Sequence, residues 1–182
     1  MPPDVAASHR EVVLPPQVVD AFGVTDDSKI VTHTEPVGRD RTNFIVRLDL
    51  APHGMPGYFE QVWARTEDQR LFELCCIPFF TYGQSLGDVL EVTLGTGQHT
   101  VQAKGGHRTI RFSFTGRQVA PALHNNLHAA LVGQLGCLVE FSGPRYGAID
   151  LNPRTAAESV IALLTPLHDS GDLAWEWADP TQ

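Results

Sequence analysis

The stretch FELCCIPFFTYGQSLGDVLEV, running from Phe72 to Val92, decides how this chain folds. Residues 71–77 are almost wholly apolar, which is typical of a strand in the centre of a sheet. Pro78 has no amide hydrogen to donate to a strand ladder, so it ends that strand. The glycine-containing segment 83–88 predicts a loop, after which an apolar segment resumes. The segment KGGHRTIRF, residues 104–112, then carries the chain into a second half with a different pattern.

On either side of this stretch, apolar and polar residues alternate with a period of two. Phe44, Val46 and Leu48 have polar or exposed-type neighbours such as Arg47 and Asp49, which indicates a half-buried strand. Strands are predicted at residues 43–50, 58–65, 71–77, 89–94 and 100–104. Short strands with turn signals at this spacing predict a small antiparallel β-barrel-like half.

A helical period appears after the paired glycines at the end of this half. Leucines recur four residues apart over residues 120–135, which predicts a helix, and Asn152 followed by Pro153 predicts the start of a second one. Further strands are predicted at residues 109–114, 138–141, 148–151 and 173–177. The resulting order of elements, βαββαβ, is that of a ferredoxin-like half.

Three segments follow from these patterns. Residues 1–24 are rich in proline and weakly patterned, so they are predicted to form a loose arm. Residues 25–105 are predicted to form the barrel-like domain, and residues 106–182 the ferredoxin-like α+β domain. Two helices would cover one face of the second sheet, which would leave its other face open.

Composition excludes some classes of partner. The chain of 182 residues has a formal net charge of -8, and its 13 basic residues are not clustered. A surface that tracks a phosphate backbone needs clustered Lys and Arg, so nucleic acid is not an expected partner. Neither a G-x-G-x-x-G loop, a Walker loop nor a G-x-S-x-G elbow occurs, and no cofactor is expected.

Cysteine usage predicts a reducing compartment. Cys75 and Cys76 are adjacent in a predicted strand and point to opposite faces, so they suit neither a disulfide nor a chelate. Together with Cys137 they are predicted to be small apolar residues of buried strands. No secretory signal is recognisable, and no apolar run approaches the ~20 residues that span a bilayer. A cytoplasmic protein without membrane contact is therefore expected.

Several short motifs resemble a bacterial family known as domain of unknown function 4265. They are WA at residues 63–64, IPFFTYG at 77–83, GD at 87–88, GGH at 105–107, YGAIDLNP at 146–153 and DLAWEWAD at 172–179. The family has Ser-Gly-His where this chain has Gly-Gly-His, so the serine hydroxyl is missing here. The resemblance covers about Phe59 to Pro180 and implies a shared fold, with no mechanism attached.

Asp88 and His107 are the candidate catalytic residues, because both lie beside glycines in this motif-bearing region. Histidine titrates closest to neutral pH, which makes His107 the candidate acid–base and Asp88 its candidate orienter. The neighbouring Arg108 and Thr109 could bind an anion. The structural alternatives are an Asx-type turn at Asp88 and an ordinary polar contact at His107.

His124 and His128 are the candidate metal ligands. Their spacing places both imidazoles on one side of a helix, as in helical zinc pairs. However, H-N-N-L-H lacks the glutamate of H-E-x-x-H, and no third ligand lies nearby in the sequence, so no metal is expected. Glu140 and Asp150 lie on the two strands of a predicted hairpin, where alternation favours exposed carboxylates.

An aromatic loop bearing Phe79, Phe80 and Tyr82 lies beside these polar groups, without a recognisable nucleophile and base. The sequence therefore favours a non-catalytic binding or accessory protein that holds a peptide or small ligand in a groove between the two halves. The alternative is a small cytoplasmic enzyme with His107 as acid–base and Asp88 as orienter. A third hypothesis is a homodimer through the open sheet face.

Overall fold

The computed structural model describes residues 29–116 and 119–179, so the predicted arm over residues 1–24 lies outside the described residues. Within this part of the chain, ten strands form a six-stranded and a four-stranded sheet. Two α-helices pack against the second sheet. The predicted mixed α+β class is confirmed.

The six-stranded sheet is centred on its third strand. Its strands are β1 (Lys29–Thr32), β2 (Phe44–Asp49), β3 (Tyr58–Arg65), β4 (Leu71–Leu74), β5 (Val89–Thr93) and β6 (Gln98–Ala103). On one edge β3 pairs with antiparallel β2, and on the other it pairs with parallel β1 and then with antiparallel β4. Leu48, Val62 and Phe72 are fully buried on one side, which accounts for the period of two. Strand β1 does not show that period, because it has only four residues and is mostly exposed.

This sheet does not close into a barrel, so the predicted barrel-like half is wrong. No strand ladder joins β6 to β2 in the described residues 29–116, although the two approach at one end, where Asp49 N–H donates to the Gly97 carbonyl at 3.0 Å. A Cβ on Gly97 would lie 2.8 Å from the Asp49 nitrogen, so this approach requires glycine. Most of β6 is exposed, which leaves little apolar surface to drive closure.

The four-stranded sheet contains the last four strands and carries both helices. Its elements are β7 (Arg108–Phe114), α1 (Pro121–His128), β8 (Leu138–Ser142), β9 (Tyr146–Leu151), α2 (Ala157–Asp169) and β10 (Leu173–Trp177). The strand order is β10-β7-β9-β8, with every pair antiparallel. After α1 the helix continues as a π-helical segment, Ala129–Gln134. Buried Phe114, Leu131 and Leu164 fill the space between sheet and helices.

The start of α2 differs from the prediction. The Asn152 side chain accepts a hydrogen bond from the Arg154 amide at 2.8 Å, and its carbonyl accepts one from Thr155 at 2.9 Å. These bonds form a turn, and the helix begins only at Ala157. Asn152 and Pro153 therefore form an Asx turn ahead of the helix. The prediction placed the helix start there because Asx turns and N-caps favour the same residue types. Pro166 lies inside α2 and does not end it.

The sheet face that was predicted to be open is covered by the first half of the chain. Ile77 and Phe79 pack with Ala148 of β9 in a small buried cluster. Polar contacts surround it, among them a hydrogen bond from the Ile77 amide to Glu140 at 2.8 Å. A second copy of the chain therefore has no access to this part of the face. The predicted boundary near residue 105 falls between strands of different sheets, and two separate domains stay a prediction.

The predicted burial of the cysteines is confirmed, but their predicted place in strands is not, because β4 ends at Leu74 and β8 begins only at Leu138. Cys75, Cys76 and Cys137 are all free and buried. Among residues 29–116 and 119–179, neither helix combines the length and the apolar character that a bilayer crossing requires.

Candidate functional site

A solvent-open cavity of about 330 Å³ lies between the two sheets, where the loop after β4 meets β7 and β10. Four aromatic rings border it, those of Phe79, Phe80, Tyr82 and Tyr146. Phe112 and Trp175 also line it, but they lie on the opposite face of their strands and their rings pack in the core beneath the helices. The three aromatic residues predicted for a groove therefore border one cavity, and its volume lies in the range of small-molecule sites.

A buried carboxylate holds the loop that presents these rings. Glu60, in the middle of β3, is fully buried. It accepts hydrogen bonds from the backbone amides of Phe79, Phe80 and Thr81 at 2.5, 3.0 and 3.1 Å. Consecutive amides that converge on one anion form a backbone nest. The position of the aromatic loop is thus fixed from beneath by a charge that the loop itself does not contain.

His33 joins this carboxylate to the second sheet. Its Nε2 lies 3.1 Å from Glu60 and its Nδ1 lies 2.6 Å from Glu140 of β8. The other Glu140 oxygen accepts the amides of Val37 at 3.0 Å and Ile77 at 2.8 Å. All three side chains are buried, which gives a substrate no access to them. His33, Glu60 and Glu140 therefore form a buried polar brace that joins the two sheets, and they do not form a reactive site.

The ionisation of this brace follows from its contacts. Burial alone would lower the pKa of His33, but Cys76, Glu140 and Glu60 outweigh burial and raise it well above the ordinary value. Burial would likewise raise the pKa of Glu60, yet its bonds to His33 and to the loop amides lower it. Burial raises the pKa of the Cys76 thiol, so the carboxylates are the partners that favour a protonated His33 ring.

Arg111 supplies the positive charge of the cavity. It lies on β7 with 6% of its surface exposed. It donates to the Thr81 carbonyl, and its guanidinium carbon lies 4.5 Å from the centre of the Tyr82 ring. Within the described residues no carboxylate forms an ion pair with it, and its Nε makes no hydrogen bond. Burial lowers the pKa of Arg111, but an arginine remains charged in proteins.

Tyr82 organises the rim of the cavity. Its hydroxyl donates to the exposed Glu176 at 2.6 Å, and this bond raises the pKa of Tyr82. Its amide donates to Nδ1 of His53 at 3.4 Å. Burial, with His99 and Arg111 nearby, lowers the pKa of His53. The neutral ring therefore carries its proton on Nε2.

The predicted catalytic pair makes no direct contact. His107 Nδ1 lies 2.9 and 3.0 Å from the two carboxylate oxygens of Asp150. The Asp88 carboxylate instead accepts the amides of Ser85 at 3.0 Å and Gly105 at 2.8 Å. Asp88 is therefore a loop-forming residue, as its structural alternative proposed, and the carboxylate that orients His107 is Asp150.

His107 lines a second cavity, of about 460 Å³, together with Arg41 and Glu73. Its side chain is 25% exposed, whereas that of Asp150 is 1% exposed. Burial raises the pKa of Asp150, and the neighbouring His107 imidazole offsets only part of that rise. The structure does not bring Asp88 and His107 into one groove with the aromatic residues, because Asp88 is buried and His107 contacts Asp150 beside another cavity.

Arg108 and Thr109 border neither cavity. Arg108 stacks on the Trp177 ring at 3.8 Å and lies 2.6 Å from an Asp179 carboxylate oxygen. Buried Thr109 donates to the Ser85 hydroxyl at 3.1 Å. Both residues thus have protein partners where the sequence suggested an anion.

His124 and His128 pack beside the Phe141 ring, with ring centres 4.2 and 6.0 Å from it. Residues 29–116 and 119–179 contain no group of three His, Cys, Asp or Glu side chains arranged to hold a metal ion. The structure therefore places these imidazoles against an aromatic ring.

Sequence reasoning missed His33, Glu60 and Arg111, and it wrongly placed Glu140 and Asp150 in solvent. The last two are 3% and 1% exposed, because the first half of the chain covers their side of the sheet. One signal was present. Glu60 shares the alternation of Val62 and Ala64, so it had to point into the core, where a carboxylate requires partners. Arg111 carried no comparable signal, since Thr109 and Ser113, which share its face of the strand, are themselves polar.

Fold and site define an α+β protein of two packed sheets with an aromatic cavity between them. The chain belongs to the family described as Domain of unknown function (DUF4265), whose model matches residues 60–175. The predicted family membership is thereby confirmed.

One solved structure shares the fold. It is the crystal structure of a hypothetical protein from Neisseria gonorrhoeae, 14% identical, with a TM-score of 0.55 over 86% of this chain and 96% of that one. At this identity the likeness concerns the fold alone. No curated protein matches the chain.

Proposed function

We propose that this protein is a non-catalytic binding or accessory protein that holds a small ligand in the cavity between its two sheets. The observation that carries the proposal is the aromatic wall of Phe79, Phe80, Tyr82 and Tyr146 around a buried guanidinium. Ligand sites are typically concave, mostly apolar and provided with few, well-placed polar groups.

Preorganisation supports a binding role. The buried Glu60 fixes the aromatic loop without any ligand, so little conformational entropy is lost when a ligand enters. A volume of about 330 Å³ favours a small molecule over a peptide, which would need a longer groove.

Blocking the cavity tests the proposal. Ala174 lines it and is exposed, so Ala174→Trp should fill the entrance without disturbing the core. Binding of a panel of small aromatic acids, amides and amines would be followed by saturation-transfer NMR. We expect compounds that bind the natural chain to lose binding in this variant.

The matched control is Ala122→Trp, which adds the same ring to an exposed position of α1 outside the cavity. It should bind like the natural chain. Equal binding by both tryptophan variants, or no binding by any member of the panel, would contradict the proposed function.

A second candidate function rests on the contact between His107 and Asp150. A buried carboxylate on Nδ1 leaves Nε2 for acid–base work in the second cavity. A small enzyme with His107 as acid–base therefore remains the alternative, with Asp150 in the orienting role. A generic hydrolase activity that His107→Gln removes would favour it.

We further infer that residues 106–182 form a ferredoxin-like unit. Support comes from the element order βαββαβ and the antiparallel strand order β10-β7-β9-β8, in which the last strand of the unit, β10, pairs with its first, β7. A cytoplasmic location is proposed on the free thiols of Cys75, Cys76 and Cys137, since disulfides are rare there.

A further inference from the structure

We infer that the ligand of this cavity is a small anion with a flat aromatic body, whose negative group binds Arg111. The inference rests on the proposed binding function and adds the charge of the ligand. Three observations carry it: the state of Arg111, the donor offered by His53, and the position of Glu176.

The first observation is a buried positive charge that no protein carboxylate pairs with. Arg111 is 6% exposed, donates to the Thr81 carbonyl and stacks near Tyr82, and among the described residues it has no ion pair. Interactions of a charge strengthen as water is removed from around it. A planar guanidinium also matches the geometry of a carboxylate or phosphate. An anion in the cavity would therefore supply the partner that the chain does not.

The second observation is a neutral imidazole on the same wall. His53 lines the cavity, and its Nδ1 accepts the Tyr82 amide at 3.4 Å. Its proton is then on Nε2, a donor that the chain leaves without a hydrogen bond in the described residues. A donor beside a guanidinium suits an acceptor with several oxygens.

The third observation is that the one carboxylate of the cavity lies at its rim. Glu176 is exposed and already accepts the Tyr82 hydroxyl at 2.6 Å. Water screens an exposed charge more than a buried one. The buried Glu60 also acts on Arg111, but its oxygens are bound by His33 and by three amides of the aromatic loop. The guanidinium of Arg111 is therefore the buried charge that lines the cavity. Aromatic walls also attract cations, but Arg111 would repel a cation there.

Three compounds with the same styryl body and differently charged head groups test the charge of the ligand: cinnamate, cinnamamide and cinnamylamine. Calorimetric titration of the full chain should show cinnamate binding about tenfold or more tightly than neutral cinnamamide, because a charge-assisted hydrogen bond exceeds a neutral one. Cinnamylamine should bind most weakly. Arg111→Gln should remove the preference for cinnamate and leave cinnamamide binding unchanged.

Glu176→Gln keeps the experiment decisive if Arg111→Gln fails to fold. This exposed substitution preserves an acceptor for Tyr82 and removes the rim charge, so it should tighten cinnamate binding by about two- to fivefold. Tighter binding of cinnamylamine than of cinnamate, or equal binding of cinnamamide, would overturn the inference and leave the binding function intact. Binding of none of the three would contradict the binding function itself.

Discussion

At the scale of single residues, the family motifs record a close approach of two backbone segments. Gly105 lies against Gly87, and a Cβ on Gly105 would meet the Gly87 carbonyl carbon at 2.6 Å and its oxygen at 2.7 Å. Asp88 fixes the same contact through the Gly105 amide. The Gly-Asp and Gly-Gly-His motifs therefore describe one joint, in which Gly105 is needed for space and Gly87 and Gly106 for their positive φ angles of 80° and 82°.

Gly105→Ala should consequently destabilise the protein. The backbone dihedral φ of Gly105 lies outside the left-handed region, so alanine suits the conformation and only the clash with backbone atoms acts. We expect a loss of about 1–3 kcal/mol in the free energy of unfolding, measured by urea denaturation. Gly133→Ala is the matched control, because its Cβ would meet nothing within 4 Å. It should be neutral or stabilising by up to about 1 kcal/mol, and an equal loss in both variants would contradict the steric argument.

At the scale of elements, the loop after β4 depends on Glu60 more than on its own residues. Glu60→Gln keeps the shape of the side chain but removes the charge that three amides and His33 share. Breaking a buried, hydrogen-bonded charge network costs about 3–5 kcal/mol. Hydrogen exchange followed by mass spectrometry should show faster exchange of the amides of residues 79–81.

The control for this substitution is Glu91→Gln, which removes a charge from an exposed pair with Arg70. It should cost less than about 1 kcal/mol and leave the exchange of residues 79–81 unchanged. If Glu60→Gln left those amides as protected as in the natural chain, Glu60 would not be what holds the aromatic loop.

The sequence predicted most elements because their signals are local. Alternation located β2, β3 and β5, and leucine spacing located α1. The features that the sequence did not predict depend on contacts between segments far apart in the chain. Closure of the first sheet depends on how β6 meets β2, and the burial of Glu140 depends on which half covers its face. The same distinction applies to the candidate site. Its aromatic residues were predicted because they lie on one loop, whereas Arg111 was missed because only the packing of β7 against that loop brings it to them.

At the scale of the whole molecule, His33 links the sheets and makes their joint stability depend on pH. It contacts Glu60 in the first sheet and Glu140 in the second. Its pKa is raised in the folded state, whereas an unfolded histidine has a pKa near ~6.5. The folded state therefore binds more protons above that value. The stabilisation is complete below about pH 6.5 and is lost as pH rises through the folded pKa.

The lowered pKa of Glu60 acts in the opposite direction. Its contribution is present above the unfolded value of ~4.3 and is lost as pH falls through the folded pKa. Both contributions are complete between these limits, so the free energy of unfolding should be largest at mildly acidic pH. Urea denaturation of the natural chain from about pH 5 to 9 should show it falling on the alkaline side. His33→Gln should be less stable at acidic pH and show a flatter alkaline dependence, because the titrating group is gone.

His168→Gln, on the exposed end of α2, is the control and should keep the dependence of the natural chain. Parallel curves for the natural chain and His33→Gln would contradict the assigned role. Should His33→Gln not fold, nitrogen-15 histidine spectra of the natural chain decide the matter, because a buried imidazolium keeps both ring protons above pH 7. A neutral His33 ring at that pH would mean that the carboxylates do not hold its proton, and that the two sheets are joined by neutral contacts alone.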